Sequence, residues 1–280
     1  MAPAKSMDPK DLLNGAVLQC VEAATLGMPF EVWKTRMGRF TNETTGQAFV
    51  NVYKRAGIAG FWQGVGPKMV ESASKGAVLL FAKEGLINAM TPMNMGPTLT
   101  GVIAGAGAGV AQTSVMGPCT FIVTAVVTGS GDVNVANKIK TTWAEKGVKG
   151  FYPGATAIAA RQASNWASRQ GFTEFVRHRM KLALHGDENA RLTVGQEAAS
   201  GTVGGALATW NQPFEVARIQ MQAAANEGKP KMSMMATIST ISKEQGPAGL
   251  FKGIVPRVLL GVWQTLFMVT GAKLLKQYMA

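Results

Sequence analysis

The chain has 280 residues, and only 16% of them are charged, although the net charge is +12 and the isoelectric point is near 9.9. Soluble proteins carry roughly 25% charged residues, and this chain has no Asp, Glu, Lys or Arg between Gly85 and Gly131. The composition argues against an ordinary soluble domain and for a membrane protein with an anionic partner or surface.

Six segments are predicted to span a bilayer, two in each third of the chain. They are about Leu12–Met28, Lys68–Met90, Leu99–Met116, Thr156–Arg177, Leu192–Trp210 and Val255–Tyr278. None is uniformly apolar, and the polar residues inside them indicate a face turned to water or to other helices.

A glycine motif occurs three times, in Gly57–Gly64, Gly147–Gly154 and Gly246–Gly253. Each copy reads Gly-x-x-Gly, an apolar residue, an aromatic, any residue and Gly. The last glycines lie 90 and then 99 residues apart, so the chain is a tandem triplication. Because units of about 95 residues exceed the 20–50 of solenoid repeats, we expect a closed ring of three units.

A proline-led segment supports the same period. Pro29–Arg36 is matched by Pro213–Gln220 and, in degenerate form, by Pro118–Val123. We therefore divide the chain into an N-terminal tail (1–10) and three repeats (11–95, 96–188 and 189–280) that form one pseudo-threefold domain.

Together these motifs resemble the mitochondrial carrier family across essentially the whole chain. The family pattern is Pro-x-[Asp/Glu]-x-x-[Lys/Arg]-x-[Lys/Arg], followed by glycine stretches, in three copies. Repeat 1 matches fully, repeat 3 has Gln220 at the final basic position, and repeat 2 keeps only the proline and glycines. Further stretches resemble the family's carriers of citrate and 2-oxoglutarate: Glu71–Phe81, Arg161–Arg169, Trp210–Pro213 and Gly261–Thr265.

The resemblance implies an all-α membrane protein with six transmembrane helices around a central cavity, and short helices on the matrix side. It implies a multi-pass, monomeric protein of the mitochondrial inner membrane. The expected activity is antiport of citrate for 2-oxoglutarate by alternating access, with another di- or keto-carboxylate as the alternative cargo. We expect no enzyme activity, cofactor or metal site, since His178 and His185 stand apart from other catalytic residue types and the two cysteines have no metal spacing.

The repeats can be compared position by position by counting from the last glycine of each motif. The triplets at offsets of 4, 7, 11 and 15 are Lys68, Ile158 and Arg257; Glu71, Arg161 and Leu260; Lys75, Asn165 and Gln264; and Leu79, Arg169 and Met268. These offsets share one helix face. Because an ion facing lipid costs roughly 2.5–3.5 kcal/mol, the polar stripe is predicted to face the cavity.

The asymmetry of these triplets predicts the substrate site, since scaffold residues should agree among repeats. The predicted substrate-binding residues are Glu71, Lys75, Arg161, Gln162, Asn165 and Arg257. Secondary cavity candidates are Leu79, Arg169, Leu260 and Gln264. Arg161 leads because its guanidinium can bind a carboxylate through two hydrogen bonds.

Alternatives remain for several of these charges. Glu71 either pairs with Lys75 one turn away or takes a direct binding or proton-linked role. Lys68 and Arg257, near the starts of their helices, have a structural or snorkelling role as their alternative. Arg169 either serves the opposite gate or pairs with Glu22.

The resemblance also implies a gate on the matrix side, built here from Glu31, Lys34, Glu215 and Arg218. Glu215 is expected to pair with Lys34. Glu31 would face Val123 and Arg218 would face Thr120, which leaves two of three bridges missing. We therefore expect a weakened gate unless Thr120, Trp33 or Gln220 compensates.

The glycine motifs open helices whose free amides suit a lipid phosphate, and the resemblance implies cardiolipin. The predicted lipid-binding residues are Gly64, Gly154, Gly253, Trp62, Tyr152 and Phe251. Positive flanks facing anionic lipid explain the net charge. The alternative from another class is a basic, membrane-anchored DNA-binding protein, for which no nucleic-acid motif is present.

Overall fold

The computed structural model describes residues 9–93, 95–129, 133–187 and 190–279, so most of the predicted N-terminal tail lies outside it. These residues are almost entirely helical and contain no strand, which confirms the all-α prediction. The α-helices are α1 (Pro9–Glu22), α2 (Met28–Arg39), α3 (Thr45–Ala56), α4 (Val65–Met90), α5 (Pro97–Ala111), α6 (Thr113–Thr128), α7 (Val135–Lys146), α8 (Ala155–His185), α9 (Val194–Leu207), α10 (Gln212–Asn226), α11 (Met234–Gly249) and α12 (Ile254–Met279).

Each repeat has the same order of elements, in which a helix that breaks before the proline segment is followed by a short helix and then a long one. The break differs among repeats. In repeat 1 it is the π-helical segment Ala23–Gly27, in repeat 2 it is Gln112, and in repeat 3 it is the 3₁₀ turn Ala208–Asn211. The six predicted spans overlap α1, α4, α5, α8, α9 and α12, and the first, third and fifth run beyond the ends of α1, α5 and α9.

Local chemistry sets where several helices begin. Capping boxes start α3, between Thr44 and Gln47, and α9, between Thr193 and Gln196. The three long helices α4, α8 and α12 instead begin directly after the motif glycines, whose φ angles of 83°, 72° and 78° are left-handed and suit glycine.

The same three glycines join the repeats into a closed ring. A Cβ on Gly64 would lie 3.5 Å from Val123 of repeat 2, and one on Gly154 would lie 3.3 Å from the Arg218 carbonyl of repeat 3. A Cβ on Gly253 would lie 3.1 Å from the Lys34 carbonyl of repeat 1. Each motif therefore packs the start of its long helix against the proline segment of the next repeat.

The longer helices carry polar and charged residues among apolar ones. Among the described residues, no single helix is long and apolar enough to qualify as a membrane span. Two bent pairs qualify by length and composition: Leu99–Ala111 with Thr113–Thr128, bent by 43°, and Met234–Gly249 with Ile254–Met268, bent by 74°.

Candidate functional site

A buried ionic network joins repeats 1 and 3 at the centre of the ring. Lys34 Nζ lies 2.8 Å from Glu31 Oε1 and 2.9 Å from Glu215 Oε1, so the pair of Lys34 with Glu215 expected from the sequence is present. Arg218 donates two hydrogen bonds to Glu215, of 2.8 and 3.1 Å. All four side chains are almost inaccessible to water, so each charge depends on its partners.

Lys68 extends this network along α4. Its Nζ lies 3.5 Å from Glu31 Oε2 and 3.1 Å from Glu71 Oε1. The alternative in which Glu71 pairs with Lys75 is therefore wrong in this structure. Glu71 pairs with Lys68 because Glu31 holds that ammonium group within reach of the next turn of α4.

A neutral clamp joins repeats 2 and 3. Gln222 donates from Nε2 to Thr120 Oγ1 at 2.9 Å, and its Oε1 accepts from Thr124 Oγ1 at 2.9 Å and from Arg218 Nη1 at 2.8 Å. Arg218 therefore reaches Thr120 only through Gln222. Among the described residues, one ion pair crosses from repeat 2 near this level, between Arg161 Nε and Glu215 Oε2 of repeat 3, at 3.1 Å.

The joint between repeats 1 and 2 is mainly apolar, and Arg55 also donates to the carbonyls of Val126 and Val127, at 3.2 and 2.7 Å. Val123, expected to face Glu31, packs in a buried cluster instead, and Glu31 turns to Lys34 and Lys68. The members of the cluster are Met28, Val32, Val52, Phe61, Val123 and Val127.

Two of the three residues considered as compensation take part in contacts between repeats. Gln220 donates to the carbonyls of Gly38 and Arg39, at 2.8 and 2.9 Å, and Arg39 pairs with Glu227. Thr120 belongs to the neutral clamp. Trp33 donates to Thr45 within repeat 1, at 3.0 Å, and so does not bridge repeats.

A cavity of about 250 Å³ lies against the network and is lined by all three repeats. Its wall carries six lysine and arginine side chains and three glutamates, an excess of three positive charges. The charged lining residues are Glu31, Lys34, Lys68, Glu71, Lys75, Arg161, Glu215, Arg218 and Arg257. Such a wall attracts a multiply charged anion.

Three of these cations come from different long helices and are the least neutralised. Arg161 Nε lies 3.1 Å from Glu215 Oε2 without hydrogen-bond alignment, so only one edge of its guanidinium is engaged. Among the described residues, no carboxylate lies within ion-pair distance of Lys75 or Arg257. These three side chains are therefore available to an anionic ligand.

Two side-chain amides hold Arg257 in place. Its Nη1 donates to Gln212 Oε1 at 2.7 Å, and its Nη2 donates to Asn211 Oδ1. Asn211 in turn donates to the carbonyl of Arg161 at 3.1 Å. Sequence reasoning missed this role, although both amides directly precede the proline of repeat 3, where they could have been noticed.

A second buried amide cluster lies beside Lys75. Gln112 donates to the Lys75 carbonyl at 2.9 Å, and its Oε1 accepts from Gln162 Nε2 at 2.6 Å and from Trp166 Nε1 at 3.2 Å. Gln162 lines the cavity as predicted, but its amide nitrogen is already bonded to another side chain. Its part in ligand binding is therefore to fix the wall rather than to supply a free donor.

Of the remaining cavity candidates, three line the cavity, one does not, and one has a side chain that the structure does not describe. Asn165, Leu260 and Gln264 line the cavity, and Gln264 Nε2 lies 3.5 Å from Glu22 Oε2. Leu79 is half-buried on α4 and is not part of the lining. Arg169 lies on α8, but its side chain is outside the part of the chain that the structure describes.

The residues predicted to bind lipid hold the helix ends. Gly64, Gly154 and Gly253 make the close approaches between repeats described above. Trp62 Nε1 donates to the Ala24 carbonyl at 2.7 Å, and the Tyr152 hydroxyl donates to the Ser114 carbonyl at 2.8 Å. Phe251 is exposed, at 40% of its maximal surface.

Comparison with known proteins agrees with the threefold architecture. The family model described as mitochondrial carrier protein matches the chain three times, over residues 7–94, 95–183 and 190–280. The chain is 32% identical over 282 residues to the citrate/oxoglutarate carrier protein of Saccharomyces cerevisiae, a match that covers 96% of this chain and 90% of the relative.

Two further relatives are more distant. The mitochondrial 2-oxodicarboxylate carrier of Mus musculus is 26% identical over 250 residues, covering 82% of each chain. The tricarboxylate transport protein of Saccharomyces cerevisiae is 24% identical over 276 residues, covering 92% of this chain and 91% of the relative.

Proposed function

Because the chain belongs to the mitochondrial carrier protein family, we propose that it is an antiporter of the mitochondrial inner membrane that exchanges citrate for 2-oxoglutarate by alternating access. The observation that carries this proposal is the set of three incompletely neutralised cations, one per repeat, on a cavity wall with an excess of three positive charges. The cargo crosses without chemical change.

The three cations differ in what they offer a ligand. The free edge of the Arg161 guanidinium binds a carboxylate through two hydrogen bonds, and Arg257, fixed by Asn211 and Gln212, presents a second planar group. Lys75 supplies a point charge from a third helix, α4. This unequal set suits an asymmetric carboxylate with two or three charged groups.

Binding at Arg161 would also act on the ionic network. Glu215 now shares its charge among Lys34, Arg218 and Arg161. A substrate carboxylate competes with Glu215 for Arg161, and so removes one of the contacts that hold repeat 2 to repeat 3. Substrate binding and opening of the network are thereby coupled through one side chain.

Substitution of Arg161 by alanine tests this assignment. We expect Arg161→Ala to reduce citrate/2-oxoglutarate exchange in liposomes by about 30-fold or more, since loss of a charged hydrogen-bonded partner costs about 2–5 kcal/mol. Arg179→Ala is the matched control, because Arg179 is an exposed arginine on the same helix. Undiminished exchange by Arg161→Ala, or an equal loss in the control, would remove Arg161 from the site.

Another di- or keto-carboxylate is the second candidate cargo. The 2-oxodicarboxylate and tricarboxylate relatives favour this broader class, since both are named for carboxylates. Uptake of a panel of such anions, each against internal citrate and internal 2-oxoglutarate, separates the two candidates.

We further propose that cardiolipin binds at the starts of α4, α8 and α12, where backbone amides face a charged headgroup. The left-handed glycines and the exposed Phe251 ring support this proposal. Addition of cardiolipin to delipidated protein should raise its unfolding temperature, whereas phosphatidylcholine should not. Equal effects of the two lipids would count against it.

A further inference from the structure

Glu22, Gln112 and Leu207 occupy one position in the three repeats, at the break that precedes each proline segment. Gln112 and Leu207 lie six residues before the proline of their repeats, whereas Glu22 lies seven residues before its proline. The π-helical segment Ala23–Gly27 accounts for the difference, because a π turn holds one more residue than an α turn.

The contacts of these residues support the equivalence. Gln112 reaches the backbone of Lys75 on the long helix of the preceding repeat, and Glu22 reaches Gln264 on the long helix that precedes it in the ring. Lys75 and Gln264 both lie eleven residues after the last motif glycine. Repeat 1 therefore places a carboxyl group where repeat 2 has a fully bonded amide.

The Glu22 carboxyl group is buried and incompletely bonded. The residue is 3% exposed, its Oε1 has no hydrogen-bond partner among the described residues, and its Oε2 lies 3.5 Å from Gln264 Nε2. A Cβ on Gly27 would lie 2.5 Å from Oε1, so the carboxyl group is packed against the π segment. Burial of an ionised carboxylate without partners is costly, which favours its protonated form.

The charged groups that face Glu22 are Lys68 and Lys75 on α4 and Glu31 on α2, while α12 presents the neutral Gln264. Lys68 is already held by Glu31 and by Glu71. Lys75 is consequently the cation that is free to stabilise an ionised Glu22. The third carboxylate of citrate, which 2-oxoglutarate lacks, withdraws this support when it binds Lys75, and the carboxylate of Glu22 then gains a proton more readily.

We propose that Glu22 binds and releases one transported proton in each exchange cycle. Citrate with three negative charges binds together with a proton, which adds to the Glu22 carboxylate, and both are released on the other side. 2-Oxoglutarate returns with two negative charges and Glu22 ionised, so the exchange is electroneutral. This proposal rests on the proposed exchange of citrate for 2-oxoglutarate.

The test uses purified full-length protein in liposomes that contain 2-oxoglutarate. A transmembrane difference of one pH unit should change the equilibrium distribution of citrate about tenfold in the wild type. A potassium potential imposed with valinomycin should leave that distribution unchanged. Glu22→Gln, which copies the amide of repeat 2, should still exchange citrate but lose the response to pH and gain one to the potential.

Glu84→Gln on the exposed face of α4 is the matched control and should behave as the wild type. A Glu22→Gln variant that follows the pH difference as the wild type does would overturn the proposal. An internal pH dye gives a second readout that needs no variant: the wild type should move one proton with each citrate, and none would also overturn it. Absence of any wild-type exchange would instead refute the proposed function, and this inference with it.

Discussion

The joint between repeats 3 and 1 differs in kind from the two joints that repeat 2 makes. Lys34 and Glu215 join repeats 3 and 1 through buried charges, whereas Gln222 joins repeats 2 and 3 through neutral hydrogen bonds. Val123 joins repeats 1 and 2 through apolar packing, to which Arg55 adds hydrogen bonds to the carbonyls of Val126 and Val127. One position in a threefold ring can therefore be closed by three different interactions.

The difference bears on how the ring can open. Separation of Lys34 from Glu215 leaves two buried charges without each other. Opening this joint therefore has a high free-energy cost unless water or other side chains replace the lost contact. The joints of repeat 2 release mostly amide, hydroxyl and methyl groups, together with the single pair of Arg161 with Glu215 and the bonds of Arg55 to backbone carbonyls. The joint between repeats 3 and 1 therefore has the largest free-energy cost of opening, and we expect repeat 2 to separate first.

Removal of the Glu215 charge should destabilise the ring more than any change to the neutral hydrogen bonds of Gln222. Glu215→Gln leaves Lys34, Arg218 and Arg161 without their common acceptor, and breaking such a buried pair costs about 3–5 kcal/mol. We expect the unfolding temperature in detergent to fall markedly, as measured by tryptophan fluorescence. Glu84→Gln serves as the control for loss of a charge on an exposed surface. If both variants melt alike, the ionic joint does not stabilise the ring.

Features that repeat were predictable from the sequence. The glycine motifs predicted three helical repeats, and the resemblance of the proline segments to the family pattern implied the pair of Lys34 with Glu215. Helical spacing predicted that the polar stripe faces a cavity, and Lys75, Arg161 and Arg257 do line one cavity. Whether they bind substrate stays a prediction.

Contacts that do not repeat could not be predicted. Gln222 lies 98 residues from Thr124, and neutral amides leave no charge pattern by which such partners can be matched. The sequence placed Lys68 on the polar face of α4. Its place in the ionic network depends on how close Glu31 of α2 lies to it, which the sequence does not give. Glu22 escaped comparison because the π segment shifts repeat 1 by one residue, and a count along the sequence cannot detect that shift.

Substitution of Gln222 should destabilise the ring less than substitution of Glu215 does. Gln222→Met keeps the side-chain length but removes the hydrogen bonds with Thr120, Thr124 and Arg218. We expect a loss of about 1–3 kcal/mol, because the groups left unpaired are mostly neutral and Arg218 keeps Glu215. A cycle with Thr124→Val checks the contact, since the two losses should be less than additive if both report one hydrogen bond. A fall in unfolding temperature larger than that of Glu215→Gln would mean that the neutral clamp, rather than the ionic joint, is the stronger closure of the ring.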